Sequence, residues 1–272
     1  TDMPTPVSSF TPTLTKTLAR GNTLTPTITP HPSLTPLATL DPAQAEEQAR
    51  LLWVEGPACR LPCWWGVSPG EADWREKLQY LTTFLPLESG WLNEVLQEGK
   101  HRPLLQYKLI LGYPEESYIG AYFAVELDNR TVSMIEINPE ATIPGLGVPE
   151  VLQRYGSPEE ILMFPGGFDL ANGGYSMKLL LFYPQQGILF YYYLTDAQVV
   201  DRRQTGCFGE QMPVTVYAWN VNSPYLIRDF FERSDYTNLV SIEEAMAIDE
   251  KTFYETYANP NNPVCITLSG EY

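Results

Sequence analysis

The sequence predicts an α+β protein: two helix-plus-antiparallel-sheet repeats, then a disulfide-closed α/β C-terminal segment, all preceded by an extended Thr/Pro-rich arm. The repeats are predicted because a helix signal followed by alternating apolar and polar runs occurs twice along the chain. The arm is predicted from residues 1–44, which are rich in Thr and Pro and poor in charge. The predicted segments are 1–44 for the arm, 45–140 and 141–200 for the repeats, and 201–272 for the C-terminal segment.

The first repeat opens with the letters SPGE at residues 68–71, which predict a capping box and a helix beginning at Ser68. Apolar residues at three- to four-residue spacing then predict one buried face, comprising Ala72, Trp74, Leu78, Leu81 and Leu85. Trp64 and Trp65 are expected to pack at the entry to this helix. Residues 89–99 predict a second short helix or a turn, and three strands follow at 103–111, 117–127 and 131–138.

The second repeat begins with a Pro-Gly turn, a short helix and Gly156 as its C-cap. Three strands are predicted after it, at 160–164, 175–183 and 187–194. The C-terminal segment predicts a strand at 212–219, a helix that starts at Asn222 or Ser223, a capping box SIEE at 241–244, a helix at 249–258 and a last strand at 262–270.

The four cysteines predict two structural disulfides. Cys207 and Cys265 stand alone in the sequence, and "CRLPC" has one residue too many for a redox motif, so neither a paired-cysteine zinc site nor a redox pair is favoured. The interpretation is Cys59 with Cys63 and Cys207 with Cys265, although four cysteines permit three connectivities. Disulfides beside a Thr/Pro stalk, a composition typical of O-glycosylation, indicate an oxidising, extracellular compartment.

Charge and motif content argue against several function classes. Acidic residues outnumber basic ones 33 to 17, a net charge of -16, which disfavours nucleic acid and anionic lipid. No apolar run is long enough for a transmembrane helix. His31 and His101 are the only histidines, and no nucleophile-elbow motif lies near them. The sequence also lacks the spacing of a calcium-binding loop. We therefore expect no catalytic activity, cofactor or metal.

Short motifs resemble two groups of proteins. GVSPG at 66–70 before a helix, with YGSPEE at 155–160 after one, resembles the SmpA/BamE-like outer-membrane-assembly lipoproteins and the related β-lactamase-inhibitor proteins, over roughly residues 62–194. That resemblance implies helices on a curved antiparallel sheet. The Thr/Pro stalk with PCWWGVSPG, YPQQGILFYYY and CITL also resembles uncharacterised exported bacterial lipoproteins, which implies export and allows a lipid anchor upstream of Thr1.

Two features predict a contact surface. The glycine-rich stretch at 165–174 precedes a strand rather than a helix, so it predicts a hairpin loop and not a phosphate cradle. Tyr191, Tyr192 and Tyr193 alternate across a strand and, with Tyr175 and Tyr183, predict an aromatic face for glycan or peptide, with ordinary sheet packing as the alternative. The candidate contact residues are Phe168, Asp169, Asn172, Tyr175, Tyr191 and Tyr193.

These features predict an exported, non-catalytic structural or binding protein of the cell surface. Its expected partner is a protein or glycan of the envelope, or other copies of itself joined through residues 1–44 in an envelope or filamentous assembly. Two alternatives stay open. One is a carbohydrate-active hydrolase, which needs two carboxylates about 5 to 10 Å apart, and the other is an inhibitor of a secreted enzyme, which rests on the fold resemblance alone.

Overall fold

The computed structural model describes most of the chain from residue 40 onward. The described residues are 40–41, 43–45, 47–48, 51, 60–70, 73–85, 87–97, 100–112, 118–127, 130–139, 143–169, 174–201, 203–209, 212–222, 239–259 and 264–268. The predicted arm at 1–44 therefore lies almost wholly outside them, as do Cys59 and the helix expected at Ser223. Within the described part, no helix is long and apolar enough to cross a membrane.

Helices are short, and each begins at a recognisable cap. Asp73 caps α1 (Trp74–Leu81) through its side chain, and Gly147 precedes α2 (Val148–Tyr155) without a side-chain cap. Ser241 and Asp249 cap α3 (Ile242–Met246) and α4 (Glu250–Tyr257) through their side chains. Residues 43–45, 47, 48 and 51 are also helical. The described part of the chain also contains a 3₁₀ turn at Pro184–Gln186.

Strands predominate, and all of the described pairings are antiparallel. The mixed helix and antiparallel-sheet class predicted from the sequence is therefore confirmed. The strands of the described chain are β1 Leu87–Gln97, β2 Lys100–Gly112, β3 Tyr118–Val125, β4 Val132–Pro139, β5 Glu160–Asp169, β6 Gly174–Tyr183, β7 Ile188–Val200, β8 Arg203–Phe208, β9 Val214–Trp219, β10 Val240–Ser241 and β11 Val264–Thr267.

One continuous sheet runs through the protein in the order β1-β2-β3-β4-β9-β7-β6-β5-β10. The meander β1–β4 follows α1 in the chain, and the meander β5–β7 follows α2. Strand β9 lies between the two meanders. Its Val216 pairs with Ile137 of β4, and its Ala218 pairs with Ile188 of β7. Two locally formed units thus share one sheet because a later strand completes it.

The turn before β7 fits tightly against β9. Gly187 has φ +68°, a left-handed conformation that suits glycine, and its carbonyl accepts a 2.9 Å hydrogen bond from the Trp219 N–H. A methyl group at this position would collide with the Trp219 carbonyl oxygen. The close approach of the two backbones therefore requires a residue without a Cβ.

The helices pack on one side of the sheet and build the main core with it. Side chains at alternate strand positions, such as Phe123, Ile135 and Phe190, are fully buried there. The helices contribute their apolar stripe, including Trp74 of α1, whose ring centroid lies 4.7 Å from that of Phe123. Other helix residues in this core are Leu81, Val151, Leu152, Ile242, Ala245 and Phe253.

Strands β8 and β11 close the C-terminal part. β8 pairs with the end of β7 and with β11, and Cys207 bonds Cys265 directly across the β8–β11 ladder. This confirms the predicted pairing, and a bridge spanning 58 residues contributes about 4 kcal/mol in the chain-entropy model. Cys63 is also disulfide-bonded. The buried Gln204 side chain donates a 2.8 Å hydrogen bond to the Ser176 carbonyl and so ties β8 to β6.

The adjacent tryptophans stand at a tight turn. Trp64 and Val67 exchange both backbone hydrogen bonds, at 2.8 and 2.9 Å. Trp65 and Gly66 between them have φ values of +49° and +75°, as a type I′ turn requires. Both indoles are buried, with 2% and 3% exposure. The predicted packing of these residues in the core is confirmed.

The helix predicted from Ser68 begins later than expected. Gly70 has φ +86° and donates its N–H to the Val132 carbonyl, and the Trp74 N–H donates to the Arg130 carbonyl. These bonds tie residues 70–74 to the start of β4, so α1 begins at Trp74 under an Asp73 cap. At 241–244 the same motif does form: Ser241 and Glu244 exchange hydrogen bonds of 3.1 and 3.2 Å.

The helix or turn predicted at 89–99 is wrong, because residues up to Gln97 form β1 instead. Strand β2 needs a partner on the side away from β3, and β1 supplies it from Leu87 onward. Strand β8 was not predicted, since its buried residues Gln204 and Gly206 are atypical of a strand interior.

We predict that Gly187→Ala lowers the free energy of unfolding by roughly 2 to 4 kcal/mol, combining the cost of a left-handed alanine with a backbone collision. Gly66→Ala is the matched control. Gly66 also has a positive φ, +75°, but only the end of the Lys77 side chain, 4.0 Å away, lies near the position of a Cβ, so it should lose only about 1 to 2 kcal/mol. Urea unfolding of both variants measures the difference, and equal losses would contradict the proposed contact with Trp219.

Candidate binding face

The sheet has a second face, opposite the helices, and its chemistry differs from the first. Strand residues alternate between the two sides, so Tyr192 lies in the helix-side core while Tyr191 and Tyr193 lie on the other side. We call this second side the aromatic face. Its half-buried residues are Tyr122, Met134, Glu136, Leu162, Phe164, Lys178, Tyr191, Tyr193 and Tyr217.

A cluster around Lys178 is the most organised part of the aromatic face. The Lys178 ammonium lies 4.8 Å from the ring centroid of Phe164, 5.8 Å from that of Tyr191 and 5.6 Å from that of Tyr193. Register explains the arrangement, because Lys178 of β6 stands directly opposite Phe164 on β5 and Tyr193 on β7. We call these four residues the Lys178 cluster; each ammonium–ring contact contributes about 0.5 to 1 kcal/mol when exposed.

A second lysine–ring pair stands on the same face. Lys108 of β2 lies with its ammonium 5.6 Å from the ring centroid of Tyr122, its register partner on β3. The same row continues through Glu136 of β4 to Tyr217 of β9. The aromatic face therefore carries rings and charges over both meanders, linked across β9.

A small apolar cluster lies on the same face, beside these side chains. Leu180, Leu189 and Trp219 have 0% exposure and Phe182 has 5%, and they pack together apart from the main core. The Phe182 and Trp219 rings stack with centroids 5.6 Å apart. Tyr191 and Tyr217 pack against this cluster, which fixes them on the sheet.

The structure separates the residues predicted as one contact surface. Tyr191 and Tyr193 lie together in the Lys178 cluster, but Tyr175 packs against the helix-side core. Phe168 and Asp169 belong to β5, and Asn172 lies outside the described residues. The predicted loop at 165–174 is therefore too long, since Phe168 pairs with Tyr175 and Asp169 with Gly174.

Sequence analysis missed Phe164, Lys178, Tyr122 and Tyr217 as surface candidates. Alternation along β5 could have identified Phe164, because it places Phe164 on the same side of the strand as Leu162. What the sequence lacked was the pairing of β5 with β6 and β6 with β7 in this register, which brings Lys178 between the rings. Alternation within β6 also places Tyr175 on the same side as Met177, in the helix-side core, because the extra residue of the β6–β7 bulge lies in β7.

The helix-side tyrosines are buried and hydrogen-bonded to backbone. The Tyr183 hydroxyl donates to the Gly156 carbonyl and the Tyr192 hydroxyl donates to the Leu146 carbonyl, both at 3.0 Å. Burial raises the pKa of both phenols well above the ordinary value, and neighbouring tyrosines add to the effect. The aromatic face predicted to include Tyr183 therefore excludes it.

Two carboxylates lie near each other at the start of β5. Partial burial raises the pKa of Glu160, and the Glu250 carboxylate of α4 adds to that rise. This pair bears on the hydrolase alternative, which stays a prediction. Among the described residues, no group of three or more histidines, cysteines or carboxylates could hold a metal ion.

No protein-family model matches this chain, and neither a curated protein nor a solved structure does.

We predict that Tyr192→Phe and Tyr183→Phe flatten the loss of stability at alkaline pH. In the unfolded chain a tyrosine ionises near pH 10, whereas the buried phenol keeps its proton to higher pH, so unfolding becomes favoured as pH rises above about 10. Each such group steepens the fall by up to about 1.4 kcal/mol per pH unit. Urea unfolding from pH 8 to 11 measures the slope. Tyr80→Phe, at a 47% exposed side chain, is the control, and equal slopes in all three variants would contradict the prediction.

Proposed function

We propose that this protein is an exported, non-catalytic binding protein whose contact surface is the aromatic face and whose partner is a protein of the cell envelope. The observation that carries the proposal is the Lys178 cluster, in which three half-buried rings surround one ammonium group on a rigid sheet. Tyrosine and phenylalanine offer large contact areas that lose little conformational entropy on binding, and such rings dominate binding energy at protein interfaces.

A protein partner is favoured over a glycan by the geometry of the rings. A sugar binds an aromatic surface by stacking on a ring face, but the ammonium of Lys178 lies over the rings of Phe164, Tyr191 and Tyr193. A glycan would have to displace it. A protein surface can instead contact ring edges and hydroxyl groups and leave the cation in place.

The disulfides support export. Bonds such as Cys207–Cys265 persist in oxidising compartments and are rare in the reducing cytosol. The same proposal includes the extracellular location, the Thr/Pro arm as a stalk, and the interpretation of the two helix-plus-meander units as repeats. The likeness to exported lipoproteins agrees with it but rests on short motifs.

The proposal is tested by capturing partners from envelope and culture fractions on immobilised wild-type protein, and comparing Tyr193→Ala and Lys178→Met with Tyr80→Ala. Tyr80 is an exposed tyrosine on α1, away from the aromatic face, and serves as a matched control. We expect Tyr193→Ala to raise the dissociation constant of the captured protein by roughly 30-fold, as hot-spot tyrosines do. Tyr80→Ala should bind as wild type does.

Circular dichroism and urea unfolding establish that each variant is folded. Treatment of the captured protein with glycosidases should leave binding unchanged; loss of binding would show a glycan ligand and overturn the choice of partner. Capture that is equal for wild type, Tyr193→Ala and Lys178→Met would overturn the aromatic face as the contact surface.

A further inference from the structure

The apolar cluster around Trp219 is buried as deeply as the main core, although it lies on the other side of the sheet. Leu180, Leu189 and Trp219 have 0% exposure and Phe182 has 5%. Their neighbours along the strands belong to the helix-side core, so alternation directs these four side chains away from α1–α4. Those neighbours are Leu179, Leu181, Ile188, Phe190 and Ala218.

Neighbours within the sheet do not account for this burial. Strand side chains stand roughly perpendicular to the sheet, so residues beside them on the same face cover their flanks and leave their tips open. Among the described residues, the partly buried apolar side chains that pack against the cluster are Met134, Leu162, Tyr191, Tyr217 and Leu239. The first four belong to strands of the same face. Zero exposure therefore requires a further layer of chain above the cluster.

The segment 223–238 is anchored at this cluster by both of its ends. The described residues end at Asn222, shortly after Trp219, and resume at Leu239, which packs against the cluster. Leu239 precedes Val240, whose partner is Met163 of β5. The chain therefore has to pass from β9 to the outer side of β5 between these two points.

The direct path between the two ends runs over the cluster. The registers place this path diagonally, about 19 Å across four strand spacings and about 20 Å along the strands. The residues along it are, in order, Trp219 on β9, Leu189 on β7, Phe182 and Leu180 on β6, and Leu162 on β5. A helix of about ten residues spans about 15 Å, and further extended residues add about 3.3 Å each, so the segment is long enough.

The sequence of the segment suits an apolar sheet surface. Apolar residues recur in it at helical spacing, with charged residues between them. The apolar positions are Leu226, Ile227, Phe230 and Phe231, and the charged ones are Arg228, Asp229, Glu232 and Arg233. A helix with this pattern has one apolar face to bury, which is the kind of layer that the cluster requires.

We propose that residues 223–238 pack as an amphipathic helix across the apolar cluster of the same chain, on the side of the sheet opposite α1–α4. Attachment at both ends gives the segment a high effective concentration at the cluster, which favours it over the same segment of a second copy. The inference is independent of the proposed partner, because Lys178 and Tyr193 lie outside the cluster.

The rate of trypsin cleavage after Arg233, followed by mass spectrometry on the folded full chain, tests this packing. A synthetic peptide of residues 222–239 gives the rate for the segment when it packs against nothing. Cleavage in the protein should be at least roughly a hundredfold slower, because a packed helix has to open before a protease can cut it. Equal rates in the peptide and the protein would overturn the proposal.

Leu180→Ala and Leu181→Ala form a matched pair for the contact itself. Both leucines are fully buried on β6, but Leu180 lies in the apolar cluster and Leu181 in the helix-side core. Well below the unfolding temperature, Leu180→Ala should raise the rate of cleavage after Arg233 roughly 30-fold or more, since it weakens the packing of the segment. Leu181→Ala should leave that rate near the wild-type value, since it promotes only global unfolding.

Urea unfolding establishes that both variants are folded under the conditions of cleavage. Equal cleavage rates in the two variants would overturn the contact with the cluster. Protection of Arg233 that is lost as the wild-type protein is diluted would show a segment from a second copy on the cluster, and would overturn the choice of the same chain.

Discussion

Strand β9 is the constraint on which the rest of the structure depends. Each meander forms from neighbouring segments of chain, but the edges of β4 and β7 that face each other carry open backbone groups until β9 pairs with both. Val216 and Ala218 of β9 are fully buried, so its insertion also joins the cores of the two halves. The contact of Gly187 with Trp219 holds this strand in place at one end.

The candidate site follows from this joined sheet. Because the helices cover one face, alternate strand residues accumulate on the other, and β9 adds Tyr217 and Trp219 to it. The apolar cluster around Trp219 packs against Tyr191 and Tyr217. The Lys178 ammonium lies over the rings of Phe164 and Tyr191, 4.8 and 5.8 Å from their centroids. A rigid surface with large aromatic groups is what the proposed binding function requires.

Local patterns in the sequence predicted the local features of the fold. Alternation identified most of β2–β7, the SIEE motif identified α3, and the Cys207–Cys265 pair was recognised. The same reasoning failed where a distant contact decides the outcome: SPGE at 68–71 is tied to β4 through Gly70, and 89–97 becomes a strand because β2 needs a partner. At the candidate site, alternation along β7 identified Tyr191 and Tyr193. The placement of Lys178 beside Phe164 depends on the register between strands, which no single segment of sequence encodes.

Hydrogen exchange measured at increasing urea concentrations tests the role of β9 most directly. If β9 joins the two meanders into one cooperative unit, the amides of Val216 and Ala218 should exchange only through global unfolding, together with those of Phe123 in β3 and Leu179 in β6. All four should then report one free energy of opening with one urea dependence. Opening of Leu179 at a lower free energy than Phe123, with β9 following only one of them, would show two independent halves and contradict the account.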